Sequence, residues 1–214
     1  MGSAQKAESI LKRMESMYEN GDKEMKPTVV SYTSAINAWV LSVDSGKARK
    51  ARDILLNMDR MFKEGNKDVK PNVFAFSSVI NACALCYGNT EEKEEALQIA
   101  YATFKQLENS SYGEPNHVIY TTFLKACANL IPAEDKRRKI VAAIFRKCCR
   151  QGQVDANVLD QLRNAAPTDL FLTLMGGLRE VDIDRIDVKE LPNEWTRHVK
   201  TQHKRRGTVA GSKL

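Results

Sequence analysis

Pro27, Pro71 and Pro115 stand 44 residues apart, twice over, in a chain of 214 residues. A fixed period of 20–50 residues is the mark of a repeat architecture and decides the fold before any local propensity does. Tyr32, Phe76 and Tyr120 share one column of this frame, Ile36, Ile80 and Leu124 the next, then Trp39, Cys83 and Cys127, then Val43, Tyr87 and Ile131. Within each copy these positions fall at i, i+4, i+7 and i+11, which predicts one apolar stripe of an α-helix. Ala38, Ala82 and Ala126 add a small residue where a neighbouring helix could approach closely.

A second helical stripe follows in each copy. Ala51, Ile54, Leu55, Met58 and Met61 match Ala7, Ile10, Leu11, Met14 and Met17 at a distance of 44, and Ala96 with Ile99, then Val141, Ile144 and Phe145, continue it at a distance of 45. Each unit is therefore helix, loop, helix, with proline in the turn that opens the next unit, where its missing N–H costs nothing. A single hairpin of this kind cannot bury its apolar faces, so the copies are expected to stack into an all-α solenoid. No alternating stretch of 4–8 residues makes a convincing strand.

The frame divides the chain into a partial repeat holding a second helix alone (1–28), three repeats (29–72, 73–116 and 117–155), a degenerate capping segment (156–195) and a basic, disordered tail (196–214). The chain begins mid-unit, as a fragment of a longer protein or with a half unit that serves as a cap. No apolar run reaches the 18 or more residues of a membrane helix, so no membrane partner is expected. Five cysteines without an apolar signal segment argue against a secreted disulfide framework.

The boundaries Lys26-Pro27-Thr28-Val29-Val30-Ser31-Tyr32-Thr33, Lys70-Pro71-Asn72-Val73-Phe74-Ala75-Phe76-Ser77 and Glu114-Pro115-Asn116-His117-Val118-Ile119-Tyr120-Thr121 resemble those of the pentatricopeptide repeat family. The second helices, such as Lys47–Leu55 and Glu94–Ile99, are similar to that family too. The tetratricopeptide repeat fits less well, because its Trp…Leu-Gly…Tyr pattern is missing. The resemblance covers roughly residues 6–155. It implies a right-handed superhelix, with units longer here than the family's usual length of about 35 residues. About three of the extra residues fall between the helices and about six in the second helix and its exit turn, which alters the pitch.

The family reads single-stranded RNA at one base per repeat. It uses the residue after the first-helix aromatic together with the last residue of the unit. By resemblance these are Thr33 with Asn72, Ser77 with Asn116, and Thr121 with Asp155. A hydroxyl beside an amide or carboxylate suits a Watson–Crick edge, since Asn both donates and accepts while ionised Asp only accepts. The resemblance implies an A-A-G preference, 5′ to 3′, with Val30, Phe74 and Val118 as apolar walls that sandwich the bases. Read without the family, the same hydroxyls are ordinary capping residues and the same asparagines ordinary turn residues. The resemblance further implies a role in RNA processing, stability or translation, and a mitochondrial or plastid location. The alternative is a protein-binding scaffold or ribonucleoprotein subunit that reads no bases.

Other chemistry is weakly represented. Cys83-x-x-Cys86 lacks the second spaced pair of a zinc site, and adjacent Cys148-Cys149 do not supply one. His117, His198 and His203 show no ligand spacing, and Asp182, Asp184 and Asp187 read as a solvated acidic segment. With neither a phosphate loop nor a nucleophile elbow, no enzyme activity, metal or cofactor is expected.

The formal net charge of +6 is unevenly placed. It equals the charge of the tail 196–214 alone, while the rest of the chain alternates basic and acidic blocks that cancel. Charge therefore supports phosphate contacts only locally: Lys47, Arg49, Lys50 and Arg52, then Lys136, Arg137, Arg138 and Lys139, then Lys204, Arg205 and Arg206 in the tail.

Overall fold

The computed structural model describes residues 2–176 and 186–199, and among these it is all-α, with no strand. The helices are α1 (Ser3–Glu19), α2 (Val29–Leu41), α3 (Lys47–Lys63), α4 (Val73–Ala84), α5 (Thr90–Glu108), α6 (His117–Leu130), α7 (Asp135–Arg150), α8 (Ala156–Ala165), α9 (Thr168–Leu174) and the single turn α10 (Asn193–Thr196). No described helix is long and apolar enough to cross a membrane.

The boundary chemistry recurs, with the exit of α5 as the exception. Gly21, Gly65 and Gly152 take φ of 96°, 115° and 64° after α1, α3 and α7. The next N–H then reaches back to the carbonyls of Met17, Met61 and Cys148. This left-handed cap satisfies carbonyls that the helix end would orphan. Asp22 and Asn66 then cap short 3-10 turns at Lys23–Met25 and Lys67–Val69. Each proline follows, one residue ahead of an N-cap: Thr28 for α2, Asn72 for α4, Asn116 for α6. Asn66 is buried and its Nδ2 donates to the Pro27 carbonyl at 3.4 Å, which ties one boundary to the one before it.

Consecutive hairpins pack in register. α2 lies on α4, α4 on α6 and α6 on α8, while α3 contacts α5 on the other layer. The aromatic column is the centre of the core: Tyr32, Phe76 and Tyr120 are fully buried. Each contributes about 1.5–3 kcal/mol relative to exposure, before entropy is counted. Two of the buried hydroxyls find acceptors, Tyr32 on Glu15 Oε1 and Tyr120 on Gln151 Oε1, both at 2.5 Å. Phe76 has no hydroxyl, and there Tyr112 packs against the ring at 6.1 Å and donates to Asp59, the residue 44 positions after Glu15.

Three expectations are corrected. The i+11 column is not core throughout: Ile131, the C-cap of α6, is buried, but Val43 and Tyr87 lie beyond the caps of α2 and α4 and are exposed. The stripe of α1 is only part-buried, with Ile10 exposed, since α1 packs on α2 and on no helix of its other side among the described residues.

The segment before the tail is helical, and the third correction concerns the tail itself. Residues 156–174 form a fourth hairpin, α8 and α9, with Asp155 as N-cap in the place of Asn72 and Asn116. Val154 stands where the other boundaries have proline, and its N–H donates to the Trp195 carbonyl at 2.8 Å. A proline has no such donor. The Trp195 indole meets Phe145 edge-on at 5.8 Å, His198 N–H donates to the Gly152 carbonyl at 2.9 Å, and Arg197 donates to the Arg150 carbonyl at 3.1 Å. The start of the expected disordered tail is thus docked on the end of α7 and its exit turn as far as His198. Asp182 and Asp184, and the tail residues His203, Lys204, Arg205 and Arg206, lie outside the described residues.

Candidate nucleic-acid interface

Position along α2 sets one face. Val30, Thr33 and Asn37 fall at i, i+3 and i+7, as do Phe74, Ser77 and Asn81 on α4 and Val118, Thr121 and Lys125 on α6. Stacking of these three helices brings the columns side by side. Val30 is 69% exposed and Phe74 is 74% exposed, although the aromatics two residues on, Tyr32 and Phe76, are fully buried. Val118 is half-buried and, with His117, Thr121 and Asn157, lines a cleft of about 220 Å³.

Thr33 and Thr121 are half-buried, and each hydroxyl donates to the carbonyl four residues back, Val29 and His117 respectively, at 2.8 Å. Their oxygen lone pairs remain as acceptors on the accessible side. Ser77 departs from the pattern. It is buried, with its hydroxyl 3.5 Å from that of Thr122, whose own proton goes to the Val118 carbonyl. Close approach of α4 and α6 therefore places Ser77 in the seam between them, not on the open face.

The last residues of the units are helix N-caps. Asn72 Oδ1 accepts from Ala75 N at 3.0 Å and Asn116 Oδ1 from Ile119 N at 3.2 Å. With Oδ1 so engaged, each amide has its NH₂ to present. Asp155 spends one oxygen on Val158 N at 2.8 Å and the other on His117 Nδ1 at 2.9 Å. An acceptor hydroxyl beside a donor amide complements adenine, whose Watson–Crick edge offers an N6 donor and an N1 acceptor. At Asp155 a ligand would have to compete with His117.

The charged candidates lie elsewhere. Lys47, Arg49, Lys50 and Arg52 are all on α3, and Lys136, Arg137, Arg138 and Lys139 all on α7, whereas the hydroxyls are on α2, α4 and α6. Most of them bind protein. Arg49 pairs with Glu95 at 2.5 Å, Lys50 with Glu8 at 3.9 Å and Arg138 with Asp169 at 2.5 Å. Arg52 donates to Thr103 at 3.3 Å, and the Lys47 ammonium and Arg137 guanidinium donate to main-chain carbonyls at the ends of α2 and α6. Only Lys136 and Lys139 of the eight stand exposed without such a contact described. Arg49, Lys50, Arg52 and Arg138 thus tie one unit to another, while Lys47 and Arg137 serve the first helix of their own unit.

A column missed in the sequence is Asn37, Asn81 and Lys125, polar residues 44 apart, one helical turn beyond the candidate hydroxyl positions. Lys125 Nζ donates to Asn81 Oδ1 at 3.4 Å across α4 and α6. The signal was present: three polar residues in register on otherwise apolar helices.

The cysteines are buried. Burial pushes the Cys83, Cys127 and Cys149 thiols up to about 12, and Cys83 keeps the core position expected of it. Comparison of the chain with protein-family models, curated proteins and solved structures finds no match.

Proposed function

We propose that this chain is a sequence-selective single-stranded RNA-binding protein, a right-handed helical-repeat solenoid of the pentatricopeptide type acting in RNA processing, stability or translation. The observation that carries it is the exposure of Val30 and Phe74 beside the hydroxyl and amide columns. Neither side chain has a core to serve, and both recur at the position where an apolar wall between bases is needed. Base stacking contributes about 1–3 kcal/mol per base and needs such a wall. The donor–acceptor pattern of Thr33 with Asn72 fits adenine, and Asn116 offers the next unit the same amide. Buried Ser77 makes the second unit depend on Asn116 and Phe74 more than on its hydroxyl.

Fluorescence anisotropy with A-A-G-containing, A-rich and U-rich RNA at two salt concentrations tests the reading. A preference for the A-A-G RNA that persists at the higher salt is expected. Binding with no base preference would leave a protein scaffold or a non-specific RNA-binding surface instead.

A further inference from the structure

The loops that follow α2 and α4 enclose a groove of about 490 Å³, lined among others by Leu41, Val43, Lys47 and Tyr87. Three of these are large apolar residues turned to solvent: Leu41 is 83% exposed, Val43 98% and Tyr87 77%. Val43 is not a loose loop residue. Ser42 Oγ donates to Asp44 Oδ2 at 2.6 Å and accepts from Asp44 N at 3.0 Å, and Gln5 Nε2 of α1 donates to the same carboxylate at 2.8 Å. A hydrogen-bonded turn anchored on the neighbouring helix therefore holds Val43 outward, where exposing it has no structural return.

At the base of the groove lies Lys47, only 6% exposed. Its ammonium donates to the Val40 carbonyl at 3.3 Å and the Ser42 carbonyl at 2.9 Å, and sits 5.9 Å from the centre of the Tyr87 ring. Two carbonyls use two of its three protons. No carboxylate comes within 4.0 Å of it among the described residues. The groove's own acids are otherwise engaged, Asp44 as above and Glu92 by the Asn89 N–H at 3.1 Å. Burial accordingly holds the ammonium below the usual lysine range.

Comparison with the third unit isolates what is special. There Arg137 takes the carbonyls of Ala128, 88 residues after Val40, and of Ile131, so both cations cap the end of a first helix. Ile131, however, is buried, where its counterparts Val43 and Tyr87 are exposed. Between the first and second units the same cap is left beneath an open apolar rim.

We propose that this groove docks a segment of a partner protein that carries large apolar side chains around a carboxylate, with the carboxylate on Lys47 and the apolar groups on Leu41, Val43 and Tyr87. A buried cation lacking a counter-ion, ringed by apolar surface, selects against an RNA backbone, whose sugars and phosphates offer no apolar complement. The site lies on the loops at the ends of the first helices, so it is separate from the base-reading columns and does not depend on them.

The test is an NMR titration of the full chain with an end-blocked Leu-Leu-Glu-Leu tetrapeptide and with its Leu-Leu-Gln-Leu counterpart. Saturable shifts are expected at Leu41, Val43, Lys47 and Tyr87, with the glutamine peptide binding about tenfold more weakly. Val43→Ser and Tyr87→Ser, both at exposed positions that leave the fold intact, should abolish those shifts, and Lys47→Met should erase the difference between the peptides. Absence of shifts in the groove, equal binding of the two peptides, or displacement of the peptide by oligouridine would each overturn the proposal.

Discussion

Replacing Val154 by proline would make the fourth boundary like the first three, and that is why it should fail locally. Val154 N–H donates to the Trp195 carbonyl at 2.8 Å, and proline removes the donor. The backbone before α8 tolerates the ring, as it does at Pro27, Pro71 and Pro115, so the helix itself should form. What is lost is one of the hydrogen bonds that hold Trp195–His198 to Arg150–Val154, alongside those made by Arg197 and His198. One such bond contributes about 0.5–1.5 kcal/mol net. Opening of the segment should become about 2- to 13-fold more frequent by that figure. Native-state hydrogen exchange reads this directly: the His198 amide should lose protection by that factor, while amides of α4 and α6 keep theirs. Unchanged protection at His198 would refute the latch. Loss of protection through the whole chain would refute the claim that proline fits there.

Three further outcomes follow from the same geometry. Asn66→Ala removes both the cap of the 3-10 turn and the donor to Pro27, so it should destabilise by about 1–2 kcal/mol and lower Tm by about 2–8 °C in a thermal melt. Asp169 is held at about 2 by the two-pronged Arg138 guanidinium. Because the folded value is depressed, this pair supports the fold above the unfolded value of about 3.9 and loses its effect as pH falls toward 2; the Asp169 carboxyl carbon should titrate near 2 by NMR, and near the ordinary value in Arg138→Ala. Phe74→Ser should change stability by no more than about 0.5 kcal/mol, since the ring is exposed, yet weaken RNA binding by about 1–3 kcal/mol in anisotropy.

What could be read in the sequence was whatever local chemistry alone dictates. Pro27, Pro71 and Pro115 with the caps behind them fix where first helices start, and Tyr32, Phe76 and Tyr120 fix which face turns inward. Val43 and Tyr87 were misplaced because a column of matched apolar residues does not say where the helix stops. The cations of α3 and α7 look like a nucleic-acid patch in the linear sequence; their partners Glu95, Glu8 and Asp169 lie on other units, and only packing brings them together. Burial of Ser77 had the same origin, in Thr122 of the next unit. The docking of Trp195 was invisible for a different reason. Its key is the absence of proline at Val154, which reads as a weakened repeat until the free N–H is seen to have an acceptor.

The central claim is that Asn72 and Asn116 read bases. Asn72→Asp with Asn116→Asp keeps both N-caps, since Asp caps as well as Asn and Asp155 already does so ahead of α8. The decisive measurement is the ratio of affinities of this double variant for RNA containing A-A-G and RNA containing G-G-G. An amide turned carboxylate accepts from guanine N1–H and N2–H and no longer donates to adenine N1, so the ratio should move toward guanine by about tenfold or more. An unchanged ratio would mean that these side chains only cap helices, and the RNA-reading account would be wrong.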